Sequence, residues 1–206
     1  PYTTLFRSGF SQGGVFMRGL IERCPLEVNN LITFGSPHLG VLELPLCKDR
    51  FDWLCKRRNA LLKKQVWHDS VQKRVIPAQY FRDPANIDQY LEHSNYLADI
   101  NNERDEKNAT YKENFSKLNK LVLVSFTEDT TLVPKESSQF HDFDPEHKRS
   151  IPFLYTELYK NDYIGLKTLY EKNSVDFLSI EAEHMHIDED FIKNIAQEYL
   201  GGKLCM

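Results

Sequence analysis

The stretch Gly9-Phe10-Ser11-Gln12-Gly13-Gly14 constrains the fold of this chain more than any other. It has the form G-x-S-x-G, which holds a serine on a sharp turn between a strand and a helix. Glycines on both sides of the serine relieve the crowding that such a turn creates. Because a serine hydroxyl is a weak nucleophile unless a base can reach it, this presentation is typical of a reactive serine. The alternative is a flexible loop.

The residues that follow Ser11 favour the turn over the loop, because they fit a helix. Arg18 and Glu22 are spaced as an i,i+4 ion pair, and Pro25 ends the pattern. The apolar face of this helix is formed by Val15, Met17, Leu20 and Ile21.

Residues 1–8 do not fit the buried strand that should lead into the turn. Their sequence, PYTTLFRS, lacks a β-branched apolar run. Back-translated, it can be spelled by the end of a common short-read sequencing adapter. We therefore interpret residues 1–8 as an artefact joined to a truncated reading frame. Residues 9–206 alone are expected to be inactive, because they supply only about three strands of a sheet.

Composition and charge exclude several classes of protein. With 206 residues, 41% of them hydrophobic, the chain is long enough for one domain with a sizeable core. A formal net charge of −4 argues against a nucleic-acid partner. No apolar run approaches membrane-spanning length, so no transmembrane segment is expected.

Apolar segments at residues 30–34, 121–126 and 177–180 predict strands. The segment 121–126 is apolar nearly throughout, which is typical of a strand buried on both faces. Residues 41–119 are instead charged and amphipathic, with helix-like stretches at 53–66, 70–75, 87–100 and 103–118. We interpret residues 41–119 as a mainly helical cap, inserted between two parts of an α/β core at residues 9–40 and 120–206.

Candidate partners for Ser11 follow the predicted strands. Asp129 comes directly after the strand at 121–126, with Glu128 as its rival; Asp142 and Asp144 fall in a polar loop and are weaker candidates. His184 and His186 both lie between the last strand and the last helix.

Hydrolases of the α/β class run in the order serine, acid, histidine along the chain. Ser11, Asp129 and His184 follow that order, which predicts an incomplete α/β-hydrolase fold: the C-terminal part of a parallel sheet with flanking helices. His38 precedes every candidate acid, so we assign it to local loop structure. The pair His184 and His186 lacks an accompanying carboxylate or cysteine set, so neither a metal nor a cofactor is expected.

Cysteines and sequons point to a secretory route. Cys47 and Cys55 bracket a short polar loop that suits a local disulfide, with two unpaired thiols as the alternative. Asn108 and Asn114 each begin an N-x-[ST] sequon and are candidate glycosylation sites.

With these residues in hand, the chain resembles the palmitoyl-protein thioesterases, lysosomal α/β-hydrolases that remove fatty acyl groups from cysteines. The matching pieces are the Gly9–Gly14 stretch, Arg23-Cys24-Pro25, Cys47 with Cys55, Ala98-Asp99-Ile100-Asn101 and the Asn108 sequon.

The resemblance implies a role for each candidate residue of the site. It makes Ser11 the nucleophile, Asp129 the acid and His184, rather than His186, the base. The backbone N–H of Gln12 is implied as one oxyanion donor, while the loop that gives the other donor would lie upstream.

The resemblance also implies an acyl groove that includes Phe81, where the family has tryptophan, and Leu132. It pairs Cys47 with Cys55, and it pairs the family's counterpart of Cys24 with an upstream cysteine that is absent here. Other apolar and aromatic residues of the cap could line the acyl groove or form the cap's own core, and we favour the core for most of them: Trp67, Tyr80, Tyr90, Tyr96 and Leu97.

The expected substrates are S-palmitoylated proteins or peptides and fatty acyl thioesters, hydrolysed without a cofactor. The expected location is lysosomal or secreted, with a signal peptide upstream. Two alternatives stay open: a lipase or esterase acting on oxygen esters, and a non-catalytic acyl-binding relative.

Overall fold

The computed structural model describes residues 5–43, 60 and 64–201. Four parallel strands form its central sheet, in the order β1-β2-β3-β6. These strands are β1 (Leu5–Phe10), β2 (Val28–Phe34), β3 (Lys120–Phe126) and β6 (Val175–Ile180). A small antiparallel pair stands apart from the sheet: β4 (Asp142–Asp144) and β5 (Arg149–Ile151).

The helices with both ends among the described residues are α1 (Gln12–Arg23), α2 (Asp69–Arg74), α3 (Ile87–His93), α4 (Leu97–Ile100), α5 (Ala109–Phe115), α6 (Glu157–Lys160), α7 (Leu166–Glu171) and α8 (Glu189–Tyr199). Short 3₁₀ turns occur at Ile76–Tyr80, Pro84–Asn86, Lys135–Gln139 and Phe153–Tyr155. Within the part of the chain that the structure covers, none of the helices has the length and apolar character needed to cross a bilayer.

Both faces of the sheet are buried, as the apolar pattern of β3 predicted. Leu121 and Leu123 contribute to the apolar cluster on one face, and Val122 and Val124 to the cluster on the other. Successive side chains of a strand point to opposite faces, so a continuous apolar run fills both clusters. The parallel sheet with flanking helices confirms the predicted α/β class.

Strand β1 corrects the prediction made for the start of the chain. We expected no strand before Ser11 and about three strands in all, yet Leu5–Phe10 pairs in parallel with β2, giving a sheet of four. The register runs from Leu5 opposite Val28 to Phe10 opposite Phe34. Backbone pairing with a buried neighbour supports a strand here without a β-branched run, because β propensity depends on context.

The helix after Ser11 begins and ends where the sequence indicated. Helix α1 starts directly after Ser11 and ends at Arg23, before Pro25. Helix α8 is capped by Asp188, whose side chain accepts a hydrogen bond of 2.7 Å from the backbone N of Phe191.

The cap helices are shorter than predicted. The expected helix over residues 87–100 is two helices, α3 and α4, because Ser94 stops the first and its hydroxyl accepts from the backbone N of Ala98. The expected helix over 103–118 is reduced to α5, because Asn108 caps it by accepting from Thr110 N. Most of the expected helix over 53–66 lies outside the described residues.

Two further predictions concern the edges of the cap. Phe115 and Leu118, which we assigned to the cap, pack in the main core cluster of the sheet. Asp142 and Asp144 lie in strand β4 and not in the loop that we predicted. Asp142 is held there because both of its carboxylate oxygens accept from the guanidinium of Arg82, in the cap.

We expect Gly14→Ala to destabilise the protein by about 1–3 kcal/mol, since an added methyl overpacks the turn. A Cβ at Gly14 would lie 2.0 Å from Oγ and 2.7 Å from Cβ of Ser36, which is fully buried and cannot withdraw. The matched control is Gly13→Ala, because a Cβ there meets nothing within 4 Å. That change should stabilise the helix by up to about 1 kcal/mol. Urea unfolding would measure both, and equal stability of the two variants would contradict the packing described here.

Candidate active site

Ser11 is held between strand β1 and helix α1 in a conformation that few residues adopt. Its backbone angles are φ 50° and ψ −125°, and its N–H donates to the carbonyl of Phe34 over 2.7 Å. The chain turns so tightly that a Cβ at Gly9 would lie 2.4 Å from the Cα of Gly14. Strained backbone at a nucleophile is the geometry that presents the hydroxyl outward.

The structure brings Ser11, His184 and Asp129 into one hydrogen-bonded row. Nε2 of His184 lies 3.0 Å from Oγ of Ser11, and Nδ1 lies 2.5 Å from Oδ2 of Asp129. A carboxylate only accepts, so Nδ1 carries the hydrogen and Nε2 of the neutral ring is free to accept from the serine hydroxyl. This arrangement can move a proton from Ser11 to His184.

The loop after β3 orients Asp129. Its Oδ1 accepts from the backbone N–H groups of Thr131 and Leu132, at 2.8 and 2.9 Å, and its side chain is only 1% exposed. The rival Glu128 is exposed, and its backbone N–H donates to Ala182. His186 is likewise exposed. The row at Ser11 therefore contains Asp129 and not Glu128, and His184 and not His186.

A pocket of about 40 Å³ opens beside Ser11 and His184. Leu132, a predicted groove residue, lines it; Phe81 does not, and packs behind it in a buried cluster with Leu132. Most of the other residues that line the pocket were not predicted from the sequence. Several of them follow strands β2 and β3, and a site in this class of sheet forms at the carboxyl ends of the strands. The remaining lining residues are Pro37, Val41, Glu43, Tyr80 and Thr131.

The other aromatic residues of the cap divide between the two interpretations. Tyr80 lines the pocket. Trp67 packs edge-to-face on Phe81 and Tyr90 at centroid distances of 5.6 and 6.1 Å. The remaining residues belong to one apolar cluster that seals the cap onto α1, namely Tyr90, Tyr96 and Leu97.

His38 is part of the local structure, as predicted, and takes no part in the row of Ser11. Its ring is fully buried, stacks on Phe140 and lies 2.9 Å from Oγ1 of Thr33 through Nε2. Burial, with a smaller contribution from the charge of Arg18, lowers the pKa of His38 well below its usual range. The ring is therefore neutral.

A buried polar chain runs behind the turn and joins the core to the cap. The pair Arg18 and Glu22, which the sequence suggested only as a helix pair, is fully buried. Arg18 donates to Glu22 over 2.9 Å, to Asn101 over 2.7 Å and to the carbonyl of His38 over 3.2 Å. Asn101 in turn donates to Glu103, which accepts from Arg82. Helix α1, the loop at His38 and the cap are thus tied together.

The two sequon asparagines differ in exposure. Asn108 is exposed, and its Nδ2 makes no hydrogen bond to the described residues. Asn114 is 6% exposed, and its Nδ2 donates to the carbonyl of Glu22 over 3.0 Å. The nitrogen that would carry a glycan is therefore already engaged at Asn114, so the structure favours Asn108 over Asn114, and glycosylation of either residue stays a prediction. Cys47 and Cys55 lie outside the described residues, and Cys24 is half-buried and forms no disulfide with any residue that the structure describes.

Two further features bear on the chemistry of the site. The N–H of Gln12 is the first of helix α1 and has no acceptor within the helix, so it can donate to a negative oxygen near Ser11.

Among residues 5–43, 60 and 64–201, no group of three or more His, Cys, Asp or Glu side chains could hold a metal ion.

A serine on a strand–turn–helix, with an acid and a histidine after later parallel strands, defines the α/β-hydrolase class. Within it, a model of the family "Palmitoyl protein thioesterase" matches residues 7–184. The chain belongs to this family.

Individual relatives agree with the family match. A palmitoyl-protein thioesterase 1 of Caenorhabditis elegans is 39% identical over a match that covers 90% of this chain and 62% of the relative. A palmitoyl-protein thioesterase 3 of Dictyostelium discoideum is 38% identical over a match that covers 90% of this chain and 63% of the relative. A lysosomal thioesterase PPT2 homolog of Drosophila melanogaster is 31% identical over a match that covers 86% of this chain and 60% of the relative. The chain thus spans about three fifths of the length of these relatives.

We expect stability to fall between about pH 4.5 and pH 7 because of Glu22. Burial raises the pKa of Glu22 from 4.5 to about 7, although Arg18 opposes the shift. The folded protein therefore holds this proton more tightly than the unfolded chain, and loses stability as pH rises through that window. The slope should reach about 1 kcal/mol per pH unit. Urea unfolding at several pH values should show a flatter dependence for Glu22→Gln.

The control for this measurement is Glu106→Gln, which removes an exposed carboxyl from a cap loop. It should keep the pH dependence of the parent protein. A Glu22→Gln variant with the same slope as the parent would show that Glu22 is ionised in the fold throughout.

Proposed function

We propose that the protein is a serine thioesterase that hydrolyses fatty acyl thioesters of cysteine, such as those of S-palmitoylated proteins. The observation that carries the proposal is the hydrogen-bonded row of Ser11, His184 and Asp129 in a chain of this family. Three relatives are named as thioesterases, two of them palmitoyl-protein thioesterases.

The proposed reaction has two halves. Oγ of Ser11 attacks the acyl carbonyl while Nε2 of His184 takes its proton, and the cysteine sulfur then leaves with that proton. Water then attacks the carbonyl of the acyl-enzyme while His184 takes its proton, and His184 passes that proton to Oγ of Ser11 as the bond to the acyl group breaks and the fatty acid leaves. Asp129 keeps Nδ1 protonated and stabilises the imidazolium that forms in each half. The N–H of Gln12 stabilises the oxyanion.

The acyl chain would leave the reacting carbonyl past Leu132. A pocket of about 40 Å³ takes the reacting group, and its apolar walls at Pro37, Val41 and Leu132 suit the first carbons of the chain. Phe81 acts from behind, as packing that fixes Leu132, and not as a direct contact.

We propose that the protein works in the lysosome. A relative carries the name lysosomal thioesterase, and the raised pKa of Glu22 suits an acidic compartment. At a pH well below 7 the buried Glu22 is neutral, while Arg18 keeps its hydrogen bonds to Asn101 and to the carbonyl of His38.

We expect Ser11→Ala and His184→Ala each to lower turnover of a palmitoyl-cysteine peptide by about 10⁴-fold or more. Since the residues act as a unit, the double variant should be little worse than either single one. The measurement is release of the free thiol by full-length protein. His186→Ala, which changes an exposed neighbouring ring, is the control and should keep near-normal turnover.

Crippled turnover in His186→Ala with normal turnover in His184→Ala would contradict the assigned base. Faster hydrolysis of a matched palmitoyl oxygen ester than of the thioester would make the protein an esterase. Failure of a fluorophosphonate to label Ser11 would support a non-catalytic acyl-binding role.

We propose Asn108 as the glycosylated sequon and expect a glycan there alone. Peptide mass spectrometry of folded protein from a eukaryotic host should find modified Asn108 and unmodified Asn114. Asn108→Gln should remove the added mass and leave turnover unchanged, since the side chain is exposed. A glycan on Asn114 in active protein would contradict the hydrogen bond that engages its Nδ2.

A further inference from the structure

A second cleft, of about 390 Å³, lies between the cap and the β4–β5 hairpin. It shares no lining residue with the pocket at Ser11. Its volume falls within the range of about 300–1,000 Å³ in which ligand sites occur. Its apolar walls are formed by Ile87 and Leu91 of the cap and by Phe143, Ile151 and Leu158 of the core.

The charged groups of the cleft are mostly acidic. Within the part of the chain that the structure describes, four acidic residues and one basic residue, Arg82, line it; the acidic residues are Glu103, Asp142, Asp144 and Glu157. Arg82 is shared between two of these carboxylates: it donates to Asp142 over 2.5 and 3.1 Å and to Glu103 over 3.0 Å. One guanidinium therefore cannot neutralise both.

The cationic partners of the outer carboxylates lie at the surface. Asp144 contacts Arg149 over 3.3 Å and His147 over 2.8 Å, and both of these partners are mostly exposed. Glu157 lies 3.3 Å from Lys160, also exposed. Exposed pairs of this kind exchange readily with solvent and are weak.

The titration of Arg82 agrees with an excess of negative charge at the floor of the cleft. Burial alone would lower the pKa of its guanidinium, yet the charges of Glu103 and Asp142 outweigh burial and raise that pKa. Its Nε–H is buried and has no acceptor among the described residues. The floor thus has negative potential and one donor to satisfy.

The cleft and the catalytic pocket lie on two sides of the same backbone. Leu39 lines the cleft, while Pro37 and Val41, two residues to either side, line the pocket at Ser11. In the cap, Tyr80 lines the pocket and Arg82 lines the cleft. One backbone segment separates the two surfaces, and an extended polypeptide advances about 3.3 Å per residue, so a few residues correspond to the width of that segment.

We propose that this cleft binds a basic side chain of the acylated polypeptide, a few residues from the acyl-cysteine. The inference rests on the proposed thioesterase function and adds a recognition element to it. The apolar stem of a lysine or arginine lies along Ile87 and Leu91, and its head lies among the carboxylates. A peptide carbonyl can accept from Nε of Arg82 after a small shift of that side chain. An acyl chain suits the cleft less, because it would strip water from the carboxylates.

The test compares two S-palmitoyl peptides that differ only in lysine or glutamine at positions near the cysteine. Full-length protein should hydrolyse the lysine peptide with a kcat/KM about 2- to 5-fold higher, mainly through KM, as exposed or partly exposed pairs contribute. The preference should fall toward 1 in high salt. A palmitoyl thioester without a peptide serves as the reference substrate.

The variants for the test are Glu157→Gln and Asp144→Asn, alone and combined, each with its folding checked by urea unfolding. They should abolish the lysine preference while leaving hydrolysis of the reference thioester unchanged. Glu113→Gln is the matched control, because Glu113 is an exposed helical glutamate paired with a nearby lysine, like Glu157, but is not among the residues of the cleft. It should keep the full preference.

The proposal is overturned if the parent protein shows no lysine preference, or if the preference survives in the combined variant. A shift of acyl-chain-length preference in these variants would also overturn it, by assigning the cleft to the acyl chain. If the reference thioester is not hydrolysed at all, the proposed function fails separately. In that case the binding of a lysine peptide that carries a non-hydrolysable thioether in place of the thioester, measured by fluorescence anisotropy, tests the cleft alone.

Discussion

The hydrogen bond from Ser11 N to the carbonyl of Phe34 fixes the point on which the rest of the site depends. It closes the parallel pairing of β1 with β2 and holds the serine at positive φ between strand and helix. Gly9 and Gly14 permit the turn because no side chain fits between them. Once Ser11 is fixed relative to β2, the parallel sheet brings the ends of β3 and β6 beside it. Asp129 and His184 then need only short loops to reach the hydroxyl.

Buried ionic groups, together with the apolar cluster around Val15, tie the cap to this core. Arg18 reaches the cap from the back of the turn, and Arg82 reaches β4 from the cap. Each such group carries a desolvation cost that only a complete set of partners offsets. The cost is not fully offset at Glu22, whose second oxygen has no partner in the described part of the chain and whose pKa rises to about 7. The folded protein therefore holds a proton on Glu22 below about pH 7.

The loop from Pro37 to Val41 links the two recognition surfaces that we propose. One side faces a small, largely apolar pocket at the reactive serine, and the other faces a larger, acidic cleft. An acylated polypeptide combines an apolar chain with polar and basic neighbours, so two surfaces of different chemistry can read its two parts at once. Specificity for a polypeptide then need not come from the catalytic residues.

Sequence alone determined the α/β class and predicted Ser11 and Asp129 as members of one site, while the choice of His184 over His186 came from the resemblance to the family. The glycines at positions 9 and 13, the apolar run of β3 and the chain order of Asp129 and His184 are local signals that survive in a single sequence. Only the tertiary structure decided the rest, because burial and partners separated by many residues cannot be read from spacing. It made β1 a strand through its pairing with β2, and it engaged Asn114 through a carbonyl of helix α1. It also turned an ordinary i,i+4 pair, Arg18 and Glu22, into a buried link between core and cap.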